Sequence, residues 1–285
     1  MNANLSMEKI HNLPGMEEFK AFCTRLQVAA RNKVLHRLGP IPLPNLVFAA
    51  APGSGVTMHI RLLTGLLKEL QLLNFVGEEE CFEWALGNEN EDFDKFLRRV
   101  RQAGGFYGYF HGVIGLDISR MLKNKNRIPS MDRIREYMEA RQGRILFVLI
   151  VPDTLSQSLL QQLMARFASI SPAELIHMPF PYDEVQHYVA QQLRHRGFTV
   201  TEEADALLSD SLSHFVRSPQ FEGYQTLINL TEEILWRKIS RQDMQDVIID
   251  KKDLDFLFDP DGYFSRYDAG STRPSKVGFH SAVEV

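Results

Sequence analysis

The chain has 285 residues, 44% of them hydrophobic and 24% charged, with 18 glycines and 13 prolines, which is ordinary for a folded domain with a sizeable core and excludes a disordered or fibrous class. A net charge of −4 provides no global basic field, so no nucleic-acid partner is expected, and the local run Lys95, Arg98, Arg99, Arg101 reads as a solvated helix face. Cys23 and Cys81 are the two cysteines; their spacing matches no metal motif and points to a reducing, cytoplasmic setting. The opening residues hold no apolar run of leader length, and the longest one, "ILFVLIV", is too short to cross a bilayer, so no membrane association is expected.

In chain order, "GMEEFKAFCTRLQVAARNKVLHRLG" carries apolar residues at three- and four-residue spacing and predicts a long amphipathic helix, stopped by Gly39 and the prolines at 40, 42 and 44. "NLVFAA" predicts a short strand, "PGSG" a turn and "VTMHIRLLTGLLKELQLL" a helix. The alternation continues with a strand at "CFEWAL", a helix at "EDFDKFLRRVRQA", a strand at "GGFYGYF" and a helix at "SMDRIREYMEARQ". A buried strand at "ILFVLIV", a helix at "TLSQSLLQQLMARF" and a last strand at "AELIHMPF" complete it. This order predicts an α/β fold with a parallel sheet covered on both faces. Beyond residue 181 only helical periods remain, with Thr201 as a helix N-cap. From about residue 259 the chain is turn-rich and reads as a tail.

The turn after the first strand has the setting of a phosphate loop, in which glycines let backbone N–H groups curl around phosphates, a lysine meets the β/γ oxygens and a hydroxyl holds magnesium. Its positions are Ala50, Ala51, Pro52, Gly53, Ser54, Gly55, Val56 and Thr57. The turn glycines and the hydroxyl are kept, while Val56 stands in the lysine's place. Read by itself, the same stretch is also a plain strand-to-helix turn.

The stretches "LPGMEEFKAFCTRL", "LVFAAAPGSGVTMHIRLLTGLLKEL", "QAGGFYGYF", "VLIVPDTLSQSLLQQLMARF" and "HRGFTVTEEADALL", in that order and spacing, resemble the AAA+ proteins related to red-type Rubisco activase and to stage V sporulation protein K. The resemblance runs from about Leu13 to Leu257. It implies a P-loop NTPase (AAA+) αβα sandwich over 1–180 and a small all-α lid over 181–258, assembled as a ring with ATP at subunit boundaries, with 259–285 left as the tail read from its turn-rich sequence.

Checked position by position, the resemblance implies a degenerate site. The nucleotide would lie on Gly53, Ser54, Gly55, Val56 and Thr57. The acidic pair that ends the third strand aligns with Phe110 and His111, the polar sensor stretch with Leu149, Ile150 and Val151, and the lid's sensor arginine with Gln225. Arg166, in "MARF", matches the arginine finger and reads equally as a cation at a helix C-terminus. Thr57 and Arg61 are further polar survivors, and Trp84 aligns near a pore-loop aromatic or serves as core. With the lysine, both acids and the sensors missing together, useful hydrolysis is not expected. Two functions stay open: a catalytically inactive AAA+-like subunit acting as scaffold or regulator with an active paralogue or with itself, and a divergent ATP-binding protein with weak or partner-dependent hydrolysis in protein remodelling. ATP and magnesium are expected to bind weakly if at all, and no metal site is expected.

Overall fold

The computed structural model describes residues 5–87, 89–122, 131–182, 185–216, 221–241 and 246–258; the tail expected over 259–285 lies outside them. The chain divides into two compact units, Met1–Pro181 and Tyr182–Val285.

The first unit opens with α1 (Leu5–His11) and α2 (Glu17–Leu35), then alternates β1 (Asn45–Ala50), α3 (Val56–Glu69), β2 (Cys81–Ala85), α4 (Glu89–Gly104), β3 (Gly112–Asp117), α5 (Ser119–Leu122), α6 (Asp132–Ala140), β4 (Ile145–Pro152), α7 (Gln157–Ala168) and β5 (Ala173–Met178). All five strands are parallel, in the order β2-β3-β4-β1-β5. This is an α/β sandwich, a parallel sheet with α2 and α3 on one face and α4, α6 and α7 on the other.

Period-two alternation along the central strands builds two cores. Leu46, Phe48, Val148 and Ile150 face one side and pack with Phe19, Phe22, Ile60 and Leu63 of α2 and α3. Val47, Ala49, Phe147 and Leu149 face the other and pack with Phe96, Ile134, Leu163 and Phe167 of α4, α6 and α7. Being buried on both faces explains why β4 reads as an unbroken apolar run. The buried Asn45 ties the lower ends of the strands together, its Nδ2 donating to Ser171 Oγ at 2.7 Å and its Oδ1 accepting from Phe147 N at 3.2 Å.

The strand expected at "GGFYGYF" is not one. Gly105 and Gly108 take φ of 53° and 67°, left-handed conformations that break an extended chain, and Gly105–Tyr107 form a 3-10 turn. The third strand is instead "GVIGLD", Gly112–Asp117. Helix α1 was also not expected; it is short, and buries Met7 and Ile10 against α3 with Ser6 Oγ donating to Glu69 Oε1 at 2.7 Å.

The second unit holds α8 (Tyr188–His195), β6 (Thr199–Val200), α9 (Glu202–Phe215), α10 (Tyr224–Ile239) and β7 (Ile248–Ile249), followed by a 3-10 helix at Lys251–Leu257. Among the described residues its only strands are the two-residue β6 and β7, which pair in parallel and are too short to leave a period. Thr201 caps α9 as expected, its Oγ1 accepting from Ala204 N at 3.2 Å. Leu208, Leu212, Leu227, Leu230 and Leu254 form its interior. At its edge the buried Asp253 carboxylate accepts from Lys238 Nζ at 3.2 Å, Arg241 Nη1 at 2.5 Å and Asp250 N at 3.0 Å. No helix among the described residues is long and apolar enough to cross a membrane.

Candidate functional site

The glycine turn after β1 stands at the carboxyl edge of the sheet, where α/β folds gather their ligand sites. Strand β1 ends between its two neighbours: Ala51 N donates to Met178 O of β5 at 3.0 Å, and Asp153 N, just after β4, donates to Ala50 O at 3.2 Å. The chain then reverses through Pro52–Gly53, closed by Ser54 N donating to Ala51 O at 3.1 Å. Gly53 and Gly55 take φ of 76° and 78°, so this turn needs glycine at both places. Gly55 is the N-cap of α3 and offers no side-chain cap, leaving first-turn N–H groups of that helix without intrahelical partners.

The residues around the loop decide what it can hold. Val56 is half-buried and packs against the apolar cluster between α2, α3 and the sheet, so the lysine's place is occupied by a core contact. Thr57 is exposed, and Arg61 stands one turn further along the same helix, also exposed. Ser54 is 1% exposed and its Oγ has no hydrogen-bond partner. One turn into α3, His59 is also 1% exposed; its Nδ1 lies 2.8 Å from Gly55 O. A carbonyl only accepts, so Nδ1 carries the proton and donates, and Nε2 is left as a buried acceptor without a partner. The Phe19 ring meets the imidazole edge to face at 4.9 Å. Burial pulls the His59 pKa down to about 4, against a smaller upward pull from the Gly55 carbonyl.

Phe110 and His111 are not at the end of the third strand. They precede β3, at the edge of the sheet opposite the loop, because the strand begins at Gly112 rather than at the double glycine. Phe110 is 2% exposed and packs against Phe82 at 5.2 Å. His111 forms a two-way backbone bridge with Val76, and burial first, then Arg144 and Arg141, hold its pKa below the ordinary range. The residues that do end β3 are Asp117 and Ile118. Asp117 is half-buried, two strand spacings or roughly 10 Å across the sheet from Ala50, and its Oδ1 accepts from Ser119 N at 2.9 Å to cap α5. Ile118 is fully buried, with its N–H donating to Ile150 O at 3.0 Å. The missed signal was the apolar run "GVIGLD" closing on a carboxylate.

The remaining expected positions fall as follows. Leu149, Ile150 and Val151 are buried in β4 and bring no polar group to its end. Arg166 lies in the last turn of α7, where a cation complements the helix dipole. Gln225 is in the second unit, exposed on the first turn of α10, with Nε2 donating to Asn229 Oδ1 at 2.9 Å. Trp84 packs on the core between β2 and α4, partly buried. Of the basic run, Arg99 makes a two-point pair with Glu79 at 2.6 Å and 2.5 Å and lies over Phe82 at 4.5 Å. Both cysteines are free thiols, and burial pushes Cys23 up to about 12.

Among the described residues no group of three or more His, Cys, Asp or Glu side chains is arranged to hold a metal. The donor set around the loop is the buried hydroxyl of Ser54, the exposed hydroxyl of Thr57, the exposed carboxylate of Asp153 just after β4 and the more distant carboxylate of Asp117, with valine rather than a cation at position 56 and the buried Ile118 rather than an acid after Asp117. It does not fit a nucleotide and magnesium poised for hydrolysis.

No family model matches the chain, and no curated protein matches it in sequence. Among solved structures the chain is similar to the Bacillus subtilis DNA clamp loader delta protein, at 10% identity and a TM-score of 0.37, over 82% of this chain and 62% of that one, so it spans less than two thirds of that protein's length.

Proposed function

We propose that this chain is a catalytically inactive AAA+-like subunit that serves as a scaffold or regulator beside an active AAA+ paralogue. The observation that carries the reading is Val56, packed into the apolar cluster where a phosphate-binding lysine would have to reach outward. Removing a single preorganised charge costs about 10²–10³ in rate, and here the buried Ile118 also stands beside Asp117 where a water-activating acid would sit. The resemblance to the Rubisco activase and stage V sporulation protein K group supports a ring or partial ring, with the helical unit as its lid. In such an assembly Arg166 is offered to the neighbour's ATP, since a finger acts on the adjoining site. Copurification from the native source tests the partner: recovery of the protein as a lone monomer would end this reading.

A divergent, ATP-binding form of the same fold is the second reading. Asp117 and Thr57 favour it, as the carboxylate at the end of β3 and an exposed hydroxyl on the first turn of the loop's helix. The two separate by titration with Mg-ATP. A site with millimolar affinity stabilises the protein by under about 1 kcal/mol at ~1 mM nucleotide, and no melting shift beyond that is expected. Val56→Lys is expected to raise affinity roughly tenfold by restoring a charged donor, with phosphate release still at background. Turnover by Val56→Lys at about 1 s⁻¹ or more would place this chain among the enzymes.

A further inference from the structure

The two edges of the sheet are treated differently. At the β5 edge the outward amide of His177 is taken by Glu18 Oε2 of α2 at 2.7 Å, and Arg25 of the same helix pairs with Glu174. At that edge α2 packs close by and a side chain takes one outward amide, a device that hinders strand addition. The β2 edge has no such cover. Val113 N donates to Glu80 O at 3.1 Å and Leu86 N to Asp117 O at 2.8 Å, which fixes the even-numbered residues of β2 as those bonded to β3. Cys81, Glu83 and Ala85 therefore turn their N–H and C=O groups outward, and among the described residues nothing bonds to them. Glu83 and Ala85 are exposed.

The side chains along this edge specify a complement. Phe82 and Trp84 belong to one face of the strand, packed on the core with α4. Glu83 lies on the other face beside Ile60, and it has no ion pair among the described residues. The surrounding sequence is acidic: from Glu78 to Asp94 there are eight Asp and Glu residues and no Lys or Arg; Glu79, Glu80, Asp92 and Asp94 are paired with Arg99, Lys68, Lys95 and Arg133, so the charge open at the strand edge is that of Glu83. A second copy of β2 is a poor occupant, because antiparallel pairing about the strand centre sets Glu83 against Glu83, and like charges directly opposite are destabilising.

We infer that the β2 edge is a docking site for an extended basic segment of a partner protein, added as a sixth strand with Lys or Arg opposite Glu83 and β-branched residues on the Trp84 face. Main-chain pairing supplies the affinity and the alternating side chains the selectivity.

The probe is a fluorescent seven-residue peptide alternating Lys and Val, capped at both ends and titrated into the full chain by anisotropy. Three controls accompany it: the same peptide N-methylated at every residue, a Glu–Val peptide, and the exposed-site variant Glu83→Lys. N-methylation keeps the charge and removes the donors, so at least tenfold weaker binding is expected. Glu83→Lys is expected to weaken the Lys–Val peptide at least tenfold and to gain the Glu–Val peptide. Amide exchange at Cys81, Glu83 and Ala85 should slow at least tenfold in the complex. Equal binding of the methylated peptide would show charge attraction without strand addition and overturn the proposal, as would no binding of the Lys–Val peptide. Self-association of the unmodified chain that protects the same three amides would overturn it too, by giving the edge to a second copy.

Discussion

Between pH 6.5 and pH 4 the protein is expected to lose about 3 kcal/mol of stability through His59 alone. The sign follows from the proton count. Unfolded, the imidazole takes a proton near pH 6.5; folded, it resists until about pH 4, so across this window the unfolded state binds more protons and acid favours it. Above pH 6.5 the histidine is neutral in both states and the contribution is constant. The physical cause is burial at the loop's own helix: Nδ1–H is already committed to Gly55 O, and a second proton at Nε2 would create a buried charge facing no acceptor. Carboxylates also titrate in the lower part of this range, so the measurement is a difference. Urea unfolding of the parent and of His59→Phe is followed across the window. The Gly55 carbonyl keeps a partner in the variant, since it also accepts the backbone N–H of residue 59 at 3.1 Å. Phenylalanine also removes the orphan nitrogen. The variant is expected to lack the extra slope and to equal or exceed the parent at pH 5. Identical pH profiles for the two proteins would show that the imidazole is hydrated or exposed.

Asp253→Ala is expected to cost about 3–5 kcal/mol in the second unit, the cost of breaking a buried charge network from one side. Its carboxylate is the meeting point of Lys238, Arg241 and the Asp250 amide, and its side chain is 2% exposed. Loss of the carboxylate strands Lys238, 9% exposed, with only the exposed Asp246 at 3.2 Å, and undoes the capping box of the last 3-10 helix. Arg241→Ala is the control: its side chain is 43% exposed, and exposed partners contribute about 1 kcal/mol or less. The two tryptophans fall one in each unit, at 84 and 236. Trp236 is 70% exposed and changes little on unfolding, so unfolding of the second unit is read by amide exchange of α9 and α10. A loss below about 1 kcal/mol for Asp253→Ala would mean that the network is not what holds α10 to the 3-10 helix at Lys251–Leu257.

The strands and helices that were legible in the sequence are those whose pattern is strong within one window. "NLVFAA" and "ILFVLIV" are buried on both faces and so appear as apolar runs; α7 and α9 carry a helical period behind a Ser or Thr cap. β3 was hidden for the converse reason. Two of its six residues are glycines and its last is an aspartate, while the aromatic "GGFYGYF" just before it has strand-like side chains on a backbone that two positive-φ glycines bend. That one displacement carried the acidic pair to Phe110 and His111, at the wrong end of the sheet, and concealed Asp117. The loop itself was legible because its glycines, its preceding strand and its following helix are contiguous. What surrounds it was not, since the burial of Val56, Ser54 and His59 depends on α2 and on strands far away in the chain. Pairing order, with β1 between β4 and β5, is likewise a property of long-range contacts that no local period records.

That same pairing order sets a timetable for synthesis. β1 is made early, but its two partners are residues 145–152 and 173–178, so a nascent chain has no neighbour for its central strand until about a hundred more residues have emerged. Until then Leu46, Val47 and Phe48 are an apolar extended segment beside the ribosome, able to pair with any strand that presents itself. The β2–β3 pair, closer in sequence, can form first and wait. On this pairing order the sheet is expected to grow inward from the β2 edge, with the turn after β1 taking its shape only once β4 and β5 are in place.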